Sequence, residues 1–397
     1  MQRDFSQQWV QDWLIRSSGT SVNAENGRRR YPEAAKSESM IPKVLGISGK
    51  QQKVMADTAA AAGHRQTAIK LYELSLRSLI EAQHNIFTEI PLKKALMETA
   101  QQCLDSVIGL ASHSVMRLAI PFGDQMLPAL LHFRHESDPL LVYIPGMDGT
   151  KETSSIGPLA APFLSRGFKV FAMDGPGQGE ARTLNGIRLT RDNYNLALQT
   201  ALEFLKANGY WNGDGAWVIG SSLGTRWALE LAASDPRIKG VALLHACFGS
   251  LDSLLFSAPP RFYKVMRYMT GLAGAELDEF IAASELSPDI EVNCPTLVCI
   301  GEFDPLTSIP EARALYRNNL KGPKELLVFE NAFHGSDGMD CLHGMNGTDV
   351  AADWILDRVV GKPVINGESL VGQESLGPYQ RAPLTEWQTL REGEWGI

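Results

Sequence analysis

Two periodicities divide the chain. In its first part apolar residues recur at helical spacing: within residues 58–82, Ala68, Ile69, Tyr72, Leu76, Leu79 and Ile80 fall on one face, and a second helical stretch runs over Pro91–Leu110. Residues 20–40 are polar and predict a loop, in which Arg28, Arg29 and Arg30 mark either a basic contact or a solvated turn. The pattern changes near Ser114. Residues 115–121 and 129–134 flank Gly123-Asp124, which predicts a hairpin. Leu140–Ile144 is a continuous apolar run, as expected of a strand buried on both faces. Strand-type runs follow at Lys169–Met173 and at residues 216–219, 241–245, 296–300 and 325–329, mostly separated by helix-length gaps, of which 194–207 and 222–233 are the clearest helices. Strand–helix alternation of this kind predicts an α/β fold with a mostly parallel eight-stranded sheet and right-handed crossovers. Residues 250–286 exceed one crossover helix and are rich in Leu, Phe, Tyr and Met, so they predict a small helical cap. The expected organisation is a helical region at 1–112, an α/β core at 113–361 carrying the cap, and a tail at 362–397. The tail shows no clear period and is expected to wrap the surface, with Trp387 and Trp395 as anchors.

Composition narrows the function classes only slightly. The 397 residues are 44% hydrophobic and 21% charged, which fits a chain with a substantial core. The net charge of −8 argues against nucleic acid or an anionic membrane as partner, since both need a basic surface. Five cysteines without a CxxC pair fit free buried thiols in a reducing compartment. The charged N-terminus and the lack of any long apolar run predict a soluble, cytoplasmic protein.

The chemistry concentrates at Gly220-Ser221-Ser222-Leu223-Gly224, a G-x-S-x-G between an apolar strand and a helix. A serine on such a turn projects its hydroxyl above the sheet, the flanking glycines remove side chains that would collide, and the helix N-terminus favours developing negative charge. Ser222 is therefore the expected nucleophile, with Ser221 as rival. A nucleophilic serine needs a base and an orienting acid, following in the order acid, then histidine, after later strands. Asp304, just past the 296–300 strand, is the expected acid and Glu302 its competitor; His334, in the loop after 325–329, is the expected base and His343 its competitor. The N–H groups of Leu223 and, after the Leu140–Ile144 strand, of Met147 are the expected oxyanion donors. Asp148, Lys151 and Glu152 beside Met147 either touch substrate or form a solvated first helical turn. His245 and Cys247 follow a strand end near the expected substrate position, where core packing is an equal alternative. Asp174-Gly175-Pro176-Gly177-Gln178-Gly179-Glu180 lacks both GxGxxG and a P-loop lysine, and predicts a tight structural loop. The histidines are scattered and no HExxH occurs, so neither metal nor cofactor is expected.

Pro145-Gly146-Met147-Asp148-Gly149 with Lys151-Glu152, the 174–180 loop, the Ser222 elbow and Ala62-Gly63-His64-Arg65 together resemble one group of α/β-hydrolases. This is the subfamily with an N-terminal helical domain, of the 2,6-dihydroxypseudooxynicotine hydrolase type and the fungal polyketide-shortening hydrolases of naphthopyrone and melanin pathways. The resemblance spans residues 55–360. It implies the α/β-hydrolase fold, a triad of Ser222, Asp304 and His334, a substrate pocket between the N-terminal region and the core, and dimerisation through that region. It also implies cleavage of a carbon–carbon bond next to a ketone, or of an ester or thioester, in an apolar aromatic or polyketide-like substrate. Two alternatives stay open: an acyltransferase or cyclase using the same triad, and a non-catalytic binding protein on the same fold.

Overall fold

The computed structural model describes residues 20–23, 27–30, 34–156, 159–335, 339–372 and 382–384. It opens with a two-stranded antiparallel ribbon, β1 (Thr20–Asn23) and β2 (Gly27–Arg30), inside the stretch expected to be a loop. Three long helices follow: α1 (Ile41–Ala61), α2 (Arg65–His84) and α3 (Pro91–Leu110). The α3 bounds agree with the sequence pattern. The single helix expected over 58–82 is instead two, because Gly63, at φ +75°, breaks the chain between α1 and α2. Helix α1 escaped the pattern because its buried face is built from small residues. Gly46, Gly49, Ala56 and Ala59 are buried, and a Cβ on Gly49 would stand 2.8 Å from Leu79 Cγ. Close backbone packing, rather than an apolar stripe, docks this helix.

Among the described residues the main sheet has ten strands. β3 (Ser114–Phe122) and β4 (Gln125–Phe133) form the expected hairpin at one edge. β5 (Leu140–Ile144), β6 (Lys169–Met173), β7 (Ala216–Ser221), β8 (Ile238–Leu244), β9 (Thr296–Gly301) and β10 (Lys324–Phe329) match the predicted runs. The tail then adds β11 (Gly367–Val371), parallel to β10, and the two-residue β12 (Ala382–Pro383). The eight-strand expectation is corrected by these two. Trp387 and Trp395 lie outside the described residues.

Strand order is β12-β11-β10-β9-β8-β7-β5-β6-β4-β3, parallel from β6 through β11. Side chains alternate between the two faces, so Val142, Val218 and Val298 join one core while Leu141, Ile219 and Leu297 join the other. The N-terminal helices build a third cluster around Leu76, Leu79, Met97 and Leu104 that meets the sheet at Leu130. β5 and β7 are neighbours, and the crossovers that leave them run in opposite directions, to β6 on one side and to β8 on the other. A crevice opens at such a reversal, beyond the C-terminal strand ends. The loops carrying Met147 and Ser222 meet there.

The 250–286 insertion is helical, with α4 (Leu251–Ser257), α5 (Arg261–Thr270) and α6 (Ala275–Ala283). Among the described residues no helix is long and apolar enough to cross a membrane.

Candidate active site

Ser222 follows β7 directly and holds φ +52°, a left-handed conformation uncommon outside glycine. The helix Gly224–Ser234 starts two residues later. The elbow glycines are required by space: a Cβ on Gly220 would lie 2.8 Å from Gly224 O, and one on Gly224 only 2.4 Å from Ile144 O. The elbow thus packs onto the loop after β5. On that loop a Cβ at Gly146 would lie 3.0 Å from Ser222 Cβ, so glycine lets the backbone pass over the nucleophile.

The loops after β9 and β10 bring Asp304 and His334 to the same place. His334 Nε2 is 2.9 Å from Ser222 Oγ, and His334 Nδ1 is 2.7 Å from Asp304 Oδ2. An ionised carboxylate only accepts, so Nδ1 carries the proton and Nε2 is free to accept from the serine hydroxyl. The other Asp304 oxygen accepts from Leu306 N at 2.8 Å, which fixes the carboxylate. Burial works against charging His334, but the Asp304 carboxylate outweighs it and holds the imidazole pKa well above its ordinary 6.5. The competing residues are placed elsewhere. Glu302 accepts from Asn331 N at 3.0 Å, His343 is exposed, and Ser221 remains in β7 as the register partner of Leu244.

Met147 and Leu223 line one cavity with Ser222, and among the described residues neither N–H donates to a backbone carbonyl. The cavity is walled by Leu251, Leu254, Leu255 and Phe262 of the cap and by Leu306. Cys247 also lines it, its sulfur 3.7 Å from Ser222 Oγ. His245 packs edge-on against His334, ring centroids 5.6 Å apart. Burial and the neighbouring His334 lower its pKa to about 3, so it is neutral at ordinary pH.

Neither reading of the residues after Met147 survives intact. Lys151 and Glu152 are fully buried and face one another rather than solvent. The Lys151 ammonium lies 2.5 Å from Glu152, 3.0 Å from Asp174 and 2.8 Å from Glu180, so it occupies the centre of the three-carboxylate group. Asp148 pairs with Arg261 of α5 and lies 3.5 Å from His84 of α2, joining loop, cap and N-terminal helices. Arg226, unmarked in the sequence reading, leaves the elbow helix to donate to Gly249 O at 2.8 Å and Ser284 O at 3.0 Å, fastening both ends of the cap. Its only sequence trace is an arginine two residues past the motif's last glycine, in the first turn of the elbow helix.

The strand order and the elbow are those of the α/β-hydrolase fold. Residues 136–278 match the family described as serine aminopeptidase, S33. Among curated relatives, a 2,6-dihydropseudooxynicotine hydrolase of Paenarthrobacter nicotinovorans is 29% identical over 233 residues, covering 57% of this chain and 59% of the relative. Hydrolase acrC of Aspergillus aculeatus is 29% identical over 225 residues, 51% of each chain. The chain thus spans little more than half the length of these relatives. The crystal structure of a 2,6-dihydroxy-pseudo-oxynicotine hydrolase superimposes with a TM-score of 0.70 at 22% identity, over 83% of this chain and 91% of the other, a likeness of fold.

Proposed function

We propose that the protein is a serine hydrolase in which Ser222, His334 and Asp304 act as a triad on an activated carbonyl. The observation that carries this reading is the continuous Ser222 Oγ–His334–Asp304 hydrogen-bond chain opening on an apolar cavity. His334 takes the Ser222 proton as Oγ attacks, the N–H groups of Leu223 and Met147 hold the oxyanion, and protonated His334 gives its proton to the leaving group. Water then releases the acyl group from Ser222. A leaving oxygen or sulfur makes the substrate an ester or thioester. A leaving carbon makes it a ketone whose departing carbanion is stabilised as an enolate or electron-rich ring, the bond cut by several hydrolases that this sequence resembles. The apolar walls favour an aliphatic, aromatic or polyketide-like acyl group. The resemblance to the fungal polyketide-shortening hydrolases supports a place in natural-product chemistry, and that of the N-terminal helices supports a homodimer.

The test is covalent labelling with a fluorophosphonate, followed by peptide mapping. Labelling at Ser222, lost in Ser222→Ala together with p-nitrophenyl ester turnover, is the expected result. An unlabelled, inactive wild-type protein sinks the proposal. In heavy-oxygen water the product acid gains one solvent oxygen; a product without it identifies an acyl transferase or cyclase instead.

A further inference from the structure

We infer that Gln178 is a positioning residue that aims the Met147 N–H at the oxyanion, an inference that rests on the triad reading above. The Gly146–Met147 peptide is planar and trans, so its C=O and N–H point in opposite directions within one plane. Whatever fixes the Gly146 carbonyl therefore fixes the Met147 N–H. Gln178 Nε2 donates to that carbonyl at 2.7 Å, and Gly149 N–H takes its other side at 3.0 Å. Donation to a carbonyl also polarises the peptide and strengthens the N–H on its far side.

The Gln178 amide is itself held in one orientation. Its Oε1 accepts from the Tyr194 hydroxyl at 2.6 Å and from Gly175 N at 3.3 Å, so Nε2 is left for Gly146 O. Gln178 and Tyr194 are both buried, and the Tyr194 ring stacks on Trp227 of the elbow helix with centroids 3.6 Å apart. The chain of contacts runs from elbow helix to Tyr194 to Gln178 to the oxyanion loop, tying the donor to the element that carries the nucleophile. The glycines around Gln178 serve this arrangement. A Cβ on Gly175 would lie 2.4 Å from the Tyr194 ring, and one on Gly177 would strike Leu189 and Met269 at 2.9 Å. The 174–180 loop is tight, as its sequence suggests, and its tightness delivers one side-chain amide to one carbonyl.

The experiment compares Gln178→Leu and Tyr194→Phe with the wild type, using p-nitrophenyl butyrate turnover and the affinity of phenylethylboronic acid, whose Ser222 adduct places an oxygen in the oxyanion position. Loss of a whole oxyanion donor costs about 100- to 1000-fold in kcat. With Gly149 still in place, Gln178→Leu should lower kcat by about 10- to 100-fold, leave KM within about twofold and weaken boronate binding in parallel with kcat. Tyr194→Phe should move the same two quantities in the same direction by a smaller factor. A folded Gln178→Leu protein with unchanged kcat and boronate affinity, or with a loss confined to KM, overturns the inference. Should Gln178→Leu not fold, unchanged kcat in Tyr194→Phe overturns it. Wild-type protein that neither turns over the ester nor reacts with fluorophosphonate takes down the triad reading and this inference together, whereas an active wild type with an indifferent Gln178 removes only the latter.

Discussion

At the scale of single residues, the site is governed by who holds protons and by where a Cβ fits. His334 can accept the Ser222 proton only while unprotonated, and the Asp304 carboxylate keeps its pKa well above 6.5 despite burial. A raised pKa means that the active form is lost as pH falls through a value above 6.5. The kcat/KM of an ester substrate should therefore show its acid limb on the alkaline side of 6.5. Asp304→Asn removes the charge that holds the pKa up, so the limb should move to lower pH while kcat falls by about 10⁴-fold, as expected when the base loses its orienting acid. A pH–rate profile of both proteins checks this, and a wild-type limb below 6.5 contradicts it. Sterics decide the second case. Alanine at 224 would press on Ile144 O and Pro145 O at 2.4 and 2.5 Å, both backbone atoms of the segment leading to Met147. Gly224→Ala should separate elbow from oxyanion loop and lower kcat by at least roughly 100-fold, the penalty of a displacement near 1 Å at a reacting centre. Steady-state kinetics on the folded variant reads this directly.

Elements differ in how plainly they announce themselves. The inner strands do so because both their faces are buried, so Leu140–Ile144 and residues 170–173 are apolar throughout and stand out in any context. Ser222, Asp304 and His334 were legible for a related reason: each sits directly beyond such a strand, and the sheet brings those ends together. Helix α1 was not legible, since glycine and alanine make its contacts and a face of small residues carries no hydrophobic period. Gln178 was hidden differently. Its partners are the Gly146 carbonyl and Tyr194, 32 residues before and 16 after it, and one polar residue in a glycine-rich loop shows neither. Strand β11 was missed because only Val371 of its five residues is buried, and its place is set by β10 through pairs such as Val328 with Leu370 and Phe329 with Val371. Such a strand is defined by its neighbour rather than by its own pattern. Its anchor is therefore sensitive: Val371→Asp buries a carboxylate in an apolar cluster and should cost roughly 3 kcal/mol. Urea unfolding measures this; a change within about 0.5 kcal/mol means the strand contributes little to the fold.

At the scale of the whole molecule, the question is how the N-terminal helices are held in register with the loops at the site. The Lys151 cluster does this through charge. Lys151 binds Glu152, Asp174 and Glu180, while Glu152 accepts from Gln101 of α3 at 2.8 Å and Gln101 accepts from Arg117 of β3 at 3.0 Å. The same Asp174 carboxylate accepts from the backbone of both loops, Lys151 N at 2.7 Å and Glu180 N at 2.8 Å. One ammonium therefore compensates three carboxylates that link helix, sheet edge and two loops. Removing one partner of a buried ion pair leaves an uncompensated charge, at about 3–5 kcal/mol. Lys151→Met should lose stability of that order near neutral pH. The pH dependence gives the cause. Without Lys151, buried Glu152 and Asp174 have folded pKa values raised above their unfolded ones, so the folded variant binds more protons than its unfolded chain and gains stability as pH falls. In the wild type, burial still raises the Asp174 pKa to about 6, but Lys151 holds the Glu152 pKa below 4.5 despite burial, so Glu152 stays charged throughout the range above pH 5. The variant takes up protons at both carboxylates where the wild type takes one up only at Asp174, so the stability difference between the two proteins should shrink from about pH 8 toward pH 5. A difference that is constant across this range would mean that the lost methylene packing and hydrogen bonds of Lys151, not its charge, hold the N-terminal helices against the core.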